Sequence, residues 1–293
     1  MSLPPLPMTV IAGYLGAGKT TLINRLLAEN HGLRLLVMVN DFGAINIDEK
    51  LLTSADEDTL TLTNGCVCCT MGADLFMAIG DALDRRPRPD QLIIEASGIA
   101  DPARIANAAK AEPDLSYGGV VTVVDGNIFK SLANDPMIGP QIIGQVKCAH
   151  AIAVSKSSAK EKALSSFLQT HTPAPIVTLS EVPSVAPLIL EPKDKLEPQL
   201  SSEPHPSYVS WSYTGDAYLT QTRINELLEK LPQGIFRLKG VVKNPDGTSR
   251  TVQVVGNEIE IKPSQAVSET TLVAIGLKDR ITAAEIEAWW QQK

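Results

Sequence analysis

The chain has 293 residues, which is enough for two domains with separate hydrophobic cores. Its formal net charge of -7 argues against nucleic-acid binding, which needs clustered basic residues. No apolar run approaches the ~20 residues of a membrane span, and the first residues resemble no signal peptide, so we expect a cytoplasmic protein with neither membrane nor nucleic-acid partners.

The first predicted element is a short buried strand, Met8–Ala12, which leads directly into Gly13-Tyr-Leu-Gly-Ala-Gly-Lys-Thr20. This stretch fits the P-loop pattern G-x-x-x-x-G-K-[ST], and apolar residues at helical spacing follow it towards Asn30. In such a strand–loop–helix unit, glycines let backbone N–H groups converge on phosphate oxygens, and the helix N-terminus adds partial positive charge. The sequence therefore predicts a nucleoside triphosphate site.

The P-loop pattern also assigns roles to individual residues. Lys19 is predicted to reach the β- and γ-phosphates as a catalytic group, and the Thr20 hydroxyl to bind Mg²⁺. The remaining nucleotide contacts at this loop are expected from Gly13, Gly16, Ala17, Gly18 and Thr21.

Strand-like and helix-like segments alternate over the rest of residues 1–180. The predicted strands are Leu33–Val39, Gln91–Glu95, Gly119–Asp125, His150–Ser155 and Pro175–Leu179. Predicted helices lie near 103–111, 137–147 and 158–169. Near-continuous apolar strands separated by helices indicate an α/β fold, a P-loop NTPase with a mostly parallel sheet covered by helices on both faces.

Residues 181–206 contain six prolines with few apolar neighbours and are predicted to be a linker. Residues 207–293 are predicted to form a smaller α+β domain. Its strands are expected near 207–213, 235–243, 250–256 and 270–277, and its helices near 220–231 and 282–291. Asn244-Pro-Asp-Gly247 is a hairpin turn signal.

Three acidic residues are candidates for the γ-phosphate region. Glu95 ends a predicted strand, at the edge where doubly wound sheets bind ligands, so we interpret it as a catalytic Walker-B acid. The Gly98 N–H would then face the γ-phosphate. Asp41 and Asp48 follow the strand that ends at Val39 and could reach Mg²⁺ or its waters, Asp48 with a catalytic role. Taken alone, either aspartate is equally compatible with a solvated loop acid.

Three cysteines form the sequence C-x-C-C at Cys66, Cys68 and Cys69. Alternate positions of an extended strand face the same way, so Cys66 and Cys68 could share an ion while Cys69 faces away. Soft thiolates suit Zn²⁺, Co²⁺ or Cu⁺. The alternative is that the three cysteines bind no metal and are packed as small buried apolar side chains. Such close spacing favours the metal and argues against a disulfide framework. Cys148 stands alone and is expected in the core.

Four segments together carry a resemblance to a known family: Gly13–Thr20, Asn40–Asp48, Asn64–Thr70 and Glu95–Pro102. In this order they resemble the CobW-type family of P-loop GTPases, the SIMIBI-class metallochaperones. Phe236–Gly240 and Gln253–Gly256 resemble that family's C-terminal domain. Its members include zinc chaperones, cobalamin-synthesis proteins and nitrile hydratase activators. The resemblance implies slow, Mg²⁺-dependent GTP hydrolysis coupled to delivery of Zn²⁺ or Co²⁺ to a client metalloprotein or metal-pathway enzyme.

The chain departs from the family at the segment that reads the base. The family carries Asn-Lys-x-Asp, whose carboxylate pairs with guanine, whereas this chain has Ser155-Lys156-Ser157-Ser158. Ser155 and Lys156 stay in the predicted nucleotide site, the Lys156 stem lying against the purine, but Ser158 supplies no carboxylate. A charge-assisted hydrogen bond is worth roughly 1.5–3 kcal/mol, so the preference for GTP over ATP should weaken by about one to two decades.

A second departure concerns the metal. The family's zinc-handling members often carry a histidine-rich stretch, whereas the four histidines of this chain are isolated, and Ala44 stands where the family commonly has an acid. The sequence therefore does not decide whether the metal is zinc or cobalt.

Two functions remain. In the first, bound nucleotide orders residues 40–74, which assembles the thiol site, and hydrolysis releases the ion. In the alternative, a nucleotide-gated protein binds a client through its C-terminal domain, with structural cysteines and little turnover. A nucleotide-dependent homodimer is compatible with both.

Overall fold

The computed structural model describes residues 4–39, 59–61, 73–157, 162–191, 208–255 and 258–293. The described residues form two compact units: those between 4 and 191 belong to the first and those between 208 and 293 to the second. None of the described helices is long and apolar enough to cross a membrane.

A seven-stranded sheet, ordered β3-β2-β4-β1-β5-β6-β7, forms the centre of the first unit. Its strands are β1 (Leu6–Ala12), β2 (Leu35–Val39), β3 (Thr59–Thr61), β4 (Gln91–Glu95), β5 (Leu115–Asp125), β6 (Ala151–Ser155) and β7 (Ile176–Thr178). All neighbouring strands are parallel. The chain runs to one side of β1 with β2–β4 and to the other with β5–β7. This reversal places a crevice at the carboxyl end of β1, where such sheets bind ligands.

Helices cover both faces of this sheet. The described ones are α1 (Lys19–Leu27), α2 (Ala73–Asp84), α3 (Pro102–Ala111), α4 (Phe129–Ala133), α5 (Gly139–Lys147), α6 (Lys162–Gln169) and α7 (Ala186–Leu190). Successive β4 residues face opposite cores: Leu92 packs with Ile79 of α2, and Ile93 packs with Leu26 of α1. Because both faces are covered, the strands are apolar throughout. The predicted doubly covered parallel sheet is confirmed.

Helix α7 lies inside the stretch that we predicted to be a linker. Its Ile189 is fully buried in the same core as α1, and the Ile189 carbonyl accepts a hydrogen bond of 3.1 Å from the Thr9 hydroxyl of β1. The segment up to Leu190 therefore packs on the first unit. From the sequence, the prolines of this stretch indicate a linker, and the helix was therefore overlooked. Pro187 stands in the first turn of α7, where a missing N–H costs nothing, so it does not interrupt the helix.

Two side chains near the end of α1 hold the segment that leads into α7. The Arg25 guanidinium donates to the carbonyls of Leu179, at 2.5 Å, and Val182. The Glu29 carboxylate accepts from the Ser184 hydroxyl at 2.6 Å and from the N–H groups of Val185 at 2.8 Å and Ala186 at 3.1 Å. Glu29 thus satisfies N–H groups at the start of α7 that the helix itself cannot.

The second unit is a five-stranded antiparallel sheet, ordered β11-β10-β9-β12-β8. Its elements are β8 (Tyr208–Gly215), α8 (Gln221–Glu229), β9 (Ile235–Lys243), β10 (Ser249–Val255), β11 (Glu258–Ser264), β12 (Thr270–Leu277) and α9 (Ala283–Trp290). The hairpin turn predicted at Asn244 joins β9 to β10. Strand β11 was missed, although Ile259 and Ile261 alternate with charged residues in the manner of a half-exposed strand.

The contacts of Glu29 predict a pH-dependent contribution to stability. Burial raises the pKa of this carboxyl, but the hydrogen bonds from Ser184, Val185 and Ala186 and the charge of Arg25 outweigh it, so the pKa lies below its ordinary 4.5. Glu29→Gln should therefore lower the free energy of unfolding at pH 7 by about 1–3 kcal/mol. The deficit should hold above pH 4.5 and shrink as the pH falls through the lowered pKa of the folded state.

Urea unfolding between pH 7 and pH 3 measures this effect, with Glu112→Gln as the control. Within the described parts of the chain, the Glu112 carboxylate accepts only a long 3.3 Å bond from the Asp114 N–H. A Glu29→Gln deficit that is the same at all pH values would show that the charge of Glu29 contributes nothing.

Candidate nucleotide-binding site

The P-loop connects β1 to α1 and turns tightly under the carboxyl end of the sheet. Gly13 has φ of +134°, and a Cβ there would lie 2.2 Å from the Val123 carbonyl oxygen of β5, so only glycine fits. Gly18 precedes α1 in the left-handed conformation. Among the side chains that the structure describes, none caps α1, and its first turn holds no acid, so its first N–H groups are suited to bind an anion.

Lys19 folds back over the loop that precedes it. Its Nζ donates to the carbonyl oxygens of Gly13 at 2.9 Å and Tyr14 at 3.3 Å, and the residue is 7% exposed. These bonds hold the ammonium group above the glycine-rich turn, next to the N-terminus of α1. An ammonium group in this position is placed to neutralise phosphate charge.

Thr20 and Glu95 meet across 75 residues of sequence. The Thr20 hydroxyl donates to Glu95 Oε1 at 2.9 Å, because β1 and β4 are neighbours and Ile11 is in register with Glu95. Glu95 is 3% exposed. A hydroxyl and a carboxylate are the hard oxygen donors that Mg²⁺ prefers, so these two side chains fit the ion that the P-loop pattern implies. The structure brings the two predicted residues together.

The turn after Glu95 lies against the P-loop. A Cβ on Gly98 would lie 2.6 Å from the Leu15 N atom, so this close approach requires glycine. Among the described residues, none accepts a hydrogen bond from the backbone N–H groups of Ser97, Gly98 or Ile99, although all three residues are buried. Buried N–H groups without acceptors are rare in proteins. Three in succession beside a P-loop are suited to an anion such as a γ-phosphate.

The carboxyl ends of β5 and β6 form the other wall. The Ser155 hydroxyl donates to the carbonyls of Ala17 at 2.6 Å and Val124 at 3.3 Å, so it supports the P-loop backbone. Lys156 has φ of +54°, and its Nζ lies 2.8 Å from the buried Asp125 carboxylate. Asp125 thereby anchors the ammonium end of the residue that we expect beside the purine. Ser155 and Lys156 remain predicted nucleotide contacts.

The other predicted site residues are not placed together here. Thr21 is exposed on α1. Outside the described residues lie Asp41, Asp48, Cys66, Cys68, Cys69 and Ser158. Within the described part of the chain, no group of three or more His, Cys, Asp and Glu side chains could hold a metal ion.

Cys148 belongs to the core, as its isolated position in the sequence indicates. It is 2% exposed, and its thiol donates to the Gln145 carbonyl at 3.4 Å. Burial, with a smaller effect of the Asp101 charge, raises the pKa of this thiol to about 12. It therefore stays protonated at neutral pH and is a poor metal ligand.

Sequence reasoning missed several residues that build this site. Asp125 carried a usable signal, because it ends a predicted strand, which is the position that selected Glu95. Gln141 and Gln145 of α5 donate to carbonyl groups of the Gly98–Ala100 turn, and nothing in the local sequence indicates this.

A P-loop at the switch point of a parallel sheet, with an acid from the neighbouring strand on its threonine, defines the class of the P-loop nucleotide-binding proteins. The narrower assignment comes from comparison. The nucleotide-binding domain model of the CobW/HypB/UreG family matches residues 7–173, and the cobalamin synthesis protein CobW C-terminal domain model matches residues 208–292. The chain belongs to the CobW/HypB/UreG family.

Relatives of this chain carry names from zinc metabolism. Zinc chaperone YjiA of Escherichia coli is 30% identical over 184 residues, which is 60% of this chain and 58% of the relative. Zinc chaperone CobW of a Sinorhizobium species is 42% identical over a region that covers 41% of this chain and 36% of the relative. Zinc-regulated GTPase metalloprotein activator 1 of Dictyostelium discoideum is 40% identical over a region that covers 41% of this chain and 30% of the relative. The matched regions thus span between 30% and 58% of the length of these relatives.

A solved structure supports the fold across the whole chain. The crystal structure of Zn(II)-bound YjiA GTPase from E. coli covers 99% of both chains with a TM-score of 0.50 at 20% identity. At this identity the likeness establishes the architecture of the P-loop domain and of the second unit.

The positions of Lys19 and Glu95 around the P-loop predict different effects for variants at these two residues. Lys19→Ala should abolish triphosphate binding because the main phosphate cation is lost. Glu95→Gln should keep binding but slow GTP hydrolysis by at least about tenfold, a modest figure for a group acting on the reacting phosphate. Fluorescent nucleotide titration and single-turnover hydrolysis measure the two effects.

Asp101→Asn is the control, because the Asp101 carboxylate accepts from the Ala103 N–H at 3.0 Å and so caps α3. Hydrolysis by Glu95→Gln at the wild-type rate would show that the Walker-B assignment is wrong.

Proposed function

We propose that this protein binds and slowly hydrolyses GTP, and that it couples the nucleotide to the binding and delivery of a transition metal ion. The observation that carries the nucleotide part is the Thr20–Glu95 hydrogen bond beneath the P-loop. It joins the P-loop hydroxyl to the strand-end acid that Mg²⁺-dependent NTP hydrolysis requires.

The site residues would divide the work as follows. Lys19 and the N–H groups at the start of α1 would bind the β- and γ-phosphates, and the N–H groups of Ser97–Ile99 would bind the γ-phosphate from the opposite side. Thr20 and Glu95, with Asp41, would hold Mg²⁺, which neutralises phosphate charge when bound. Asp48 would complete the catalytic set. Oriented donors of this kind stabilise charge that develops on the transferred phosphoryl group.

The base is proposed to be guanine, read with relaxed selectivity. The Ser155 hydroxyl donates to the carbonyls of Ala17 in the P-loop and Val124 in β5. The Lys156 ammonium pairs with Asp125, so the Lys156 stem is held at the edge of the site. Ser158 offers a hydroxyl where the family's aspartate offers a carboxylate. The Asp125–Lys156 ion pair supports a fixed base wall but adds no acceptor for guanine N–H groups.

The cargo is proposed to be Zn²⁺, with Co²⁺ as the alternative, bound by Cys66, Cys68 and Cys69. The names of the relatives, two zinc chaperones and a zinc-regulated activator, support zinc. The recipient would be a client metalloprotein or an enzyme of a metal pathway in the cytoplasm, and a homodimer could form in the nucleotide-bound state. Any coupling between nucleotide and metal must be reciprocal: each ligand must strengthen the binding of the other by the same factor.

Replacing Ser158 tests how the base is read. Ser158→Asp should widen the affinity ratio of GTP to ATP by about ten- to a hundredfold, the value of one charge-assisted hydrogen bond to guanine. Competition titrations with GTP, ATP and their diphosphates measure the ratio, and Ser157→Asp is the control. A wild-type protein that already prefers GTP by several decades would show that another group reads the base.

Replacing Cys66 and Cys68 by Ser tests the coupling of the two sites. Wild-type protein should bind one equivalent of Zn²⁺ or Co²⁺ with proton release, because thiolates bind metal only when deprotonated. A non-hydrolysable GTP analogue should tighten metal binding by ~5–150-fold, and metal should tighten analogue binding equally. The double variant should lose the sulfur-to-Co²⁺ absorption but keep its nucleotide affinity without metal.

Cys148→Ala is the matched control and should leave the Co²⁺ spectrum unchanged, because that thiol is buried and protonated. Unchanged metal affinity in the Cys66/Cys68 variant would show that these thiols are structural. Turnover would then separate a simple GTPase from the nucleotide-gated client-binding protein.

A further inference from the structure

Two glutamines of α5 hold the turn that follows Glu95. Gln145 Nε2 donates to the carbonyls of Gly98 and Ala100, both at 3.1 Å, and Gln141 Nε2 donates to the carbonyl of Ile99 at 2.6 Å. Three consecutive carbonyl groups are thus bound by two side chains one helical turn apart. These contacts join residues more than forty positions apart in the sequence.

The direction of these bonds determines where the N–H groups of the turn point. In a trans peptide the C=O and the following N–H point in opposite directions. Because the Gly98 carbonyl is bound by Gln145, the Ile99 N–H is directed away from α5. The Ala100 N–H closes the turn on the Ser97 carbonyl at 2.9 Å. The Ile99 N–H, a donor that no described residue accepts, therefore lies opposite the side that α5 holds.

Both glutamines are buried, Gln145 at 3% and Gln141 at 5% exposed. Burying an amide costs free energy unless its hydrogen bonds are made, so an aliphatic side chain would serve equally well if packing were the only requirement. The helix is itself held to β5, because the Thr122 hydroxyl donates to the Gln145 carbonyl at 2.8 Å. The arrangement fixes a backbone turn against the central strands of the sheet.

We infer that Gln145, assisted by Gln141, is a positioning residue for GTP hydrolysis. It holds the Ser97–Ala100 turn so that the N–H groups of Ser97, Gly98 and Ile99 meet the γ-phosphate. This inference rests on the proposed function, because it concerns the same phosphate site. Gln145 itself touches no phosphate and acts through the turn.

The test replaces the amide by a side chain of similar length without donors. Gln145→Met should lower kcat for GTP hydrolysis by about 10–100-fold, since a misplacement of about 1 Å can cost that much. Its affinity for GDP should stay within about threefold of wild type, because GDP lacks the γ-phosphate. Its affinity for a non-hydrolysable GTP analogue should fall relative to GDP. A purely structural role would leave the ratio of these affinities unchanged.

Gln91→Met is the matched control. Gln91 is 4% exposed and its Nε2 donates to the Thr9 hydroxyl at 2.9 Å, at the opposite end of β4 from Glu95. This variant should lose comparable stability but keep kcat. Gln141→Met removes the bond to the Ile99 carbonyl but leaves both Gln145 bonds in place, and should give a smaller loss of kcat. It tests the inference if Gln145→Met does not fold.

The outcomes separate the inference from the function on which it rests. Wild-type protein that hydrolyses no GTP would contradict the proposed function. Wild-type hydrolysis together with unchanged kcat and an unchanged analogue-to-GDP affinity ratio in the glutamine variants would overturn the positioning role alone. Equal losses in Gln91→Met and Gln145→Met would assign the effect to general destabilisation and would also overturn it.

Discussion

Backbone N–H groups can bind a triphosphate only if the carbonyl groups of the same turns are directed elsewhere and hydrogen-bonded there. This requirement explains the buried side-chain donors around the site. Lys19 binds the Gly13 carbonyl, Ser155 binds that of Ala17, and Gln145 binds those of the turn after Glu95. An unmet buried carbonyl would cost about 1–3 kcal/mol, so the site is built as much from these donors as from the P-loop.

The parallel sheet makes these contacts possible because the carboxyl ends of its strands meet at one edge. With β1 between β4 and β5, the P-loop lies beside Glu95 on one side and Val123 on the other. Glycine at positions 13 and 98 allows backbone to approach backbone directly. Donors from distant parts of the chain can therefore reach two turns that together contain about a dozen residues.

Helix α1 connects this phosphate edge to the loop after β7. Its N-terminal end carries Lys19 and Thr20. Arg25 in its last turn and Glu29 just beyond its end hold residues 179–186 by five hydrogen bonds, and an ion pair joins these two side chains. A further hydrogen bond, from the Ala186 N–H to the Ser184 hydroxyl at 3.2 Å, lies within the segment that they hold. A displacement of α1 would therefore also displace the loop that follows β7.

The sequence by itself determined the P-loop, the strand-end acid Glu95 and the doubly covered parallel sheet. The P-loop is local, and apolar periodicity and strand-end position can be read along the chain. The roles of Asp41, Asp48 and the three clustered cysteines remain predictions from sequence. Only the tertiary structure identified Gln145, the Asp125–Lys156 ion pair and the packing of α7. A buried glutamine or a five-residue helix has no distinctive local pattern, and although Asp125 ends a strand, its sequence position does not reveal its partner. These roles are decided by partners that the fold brings together.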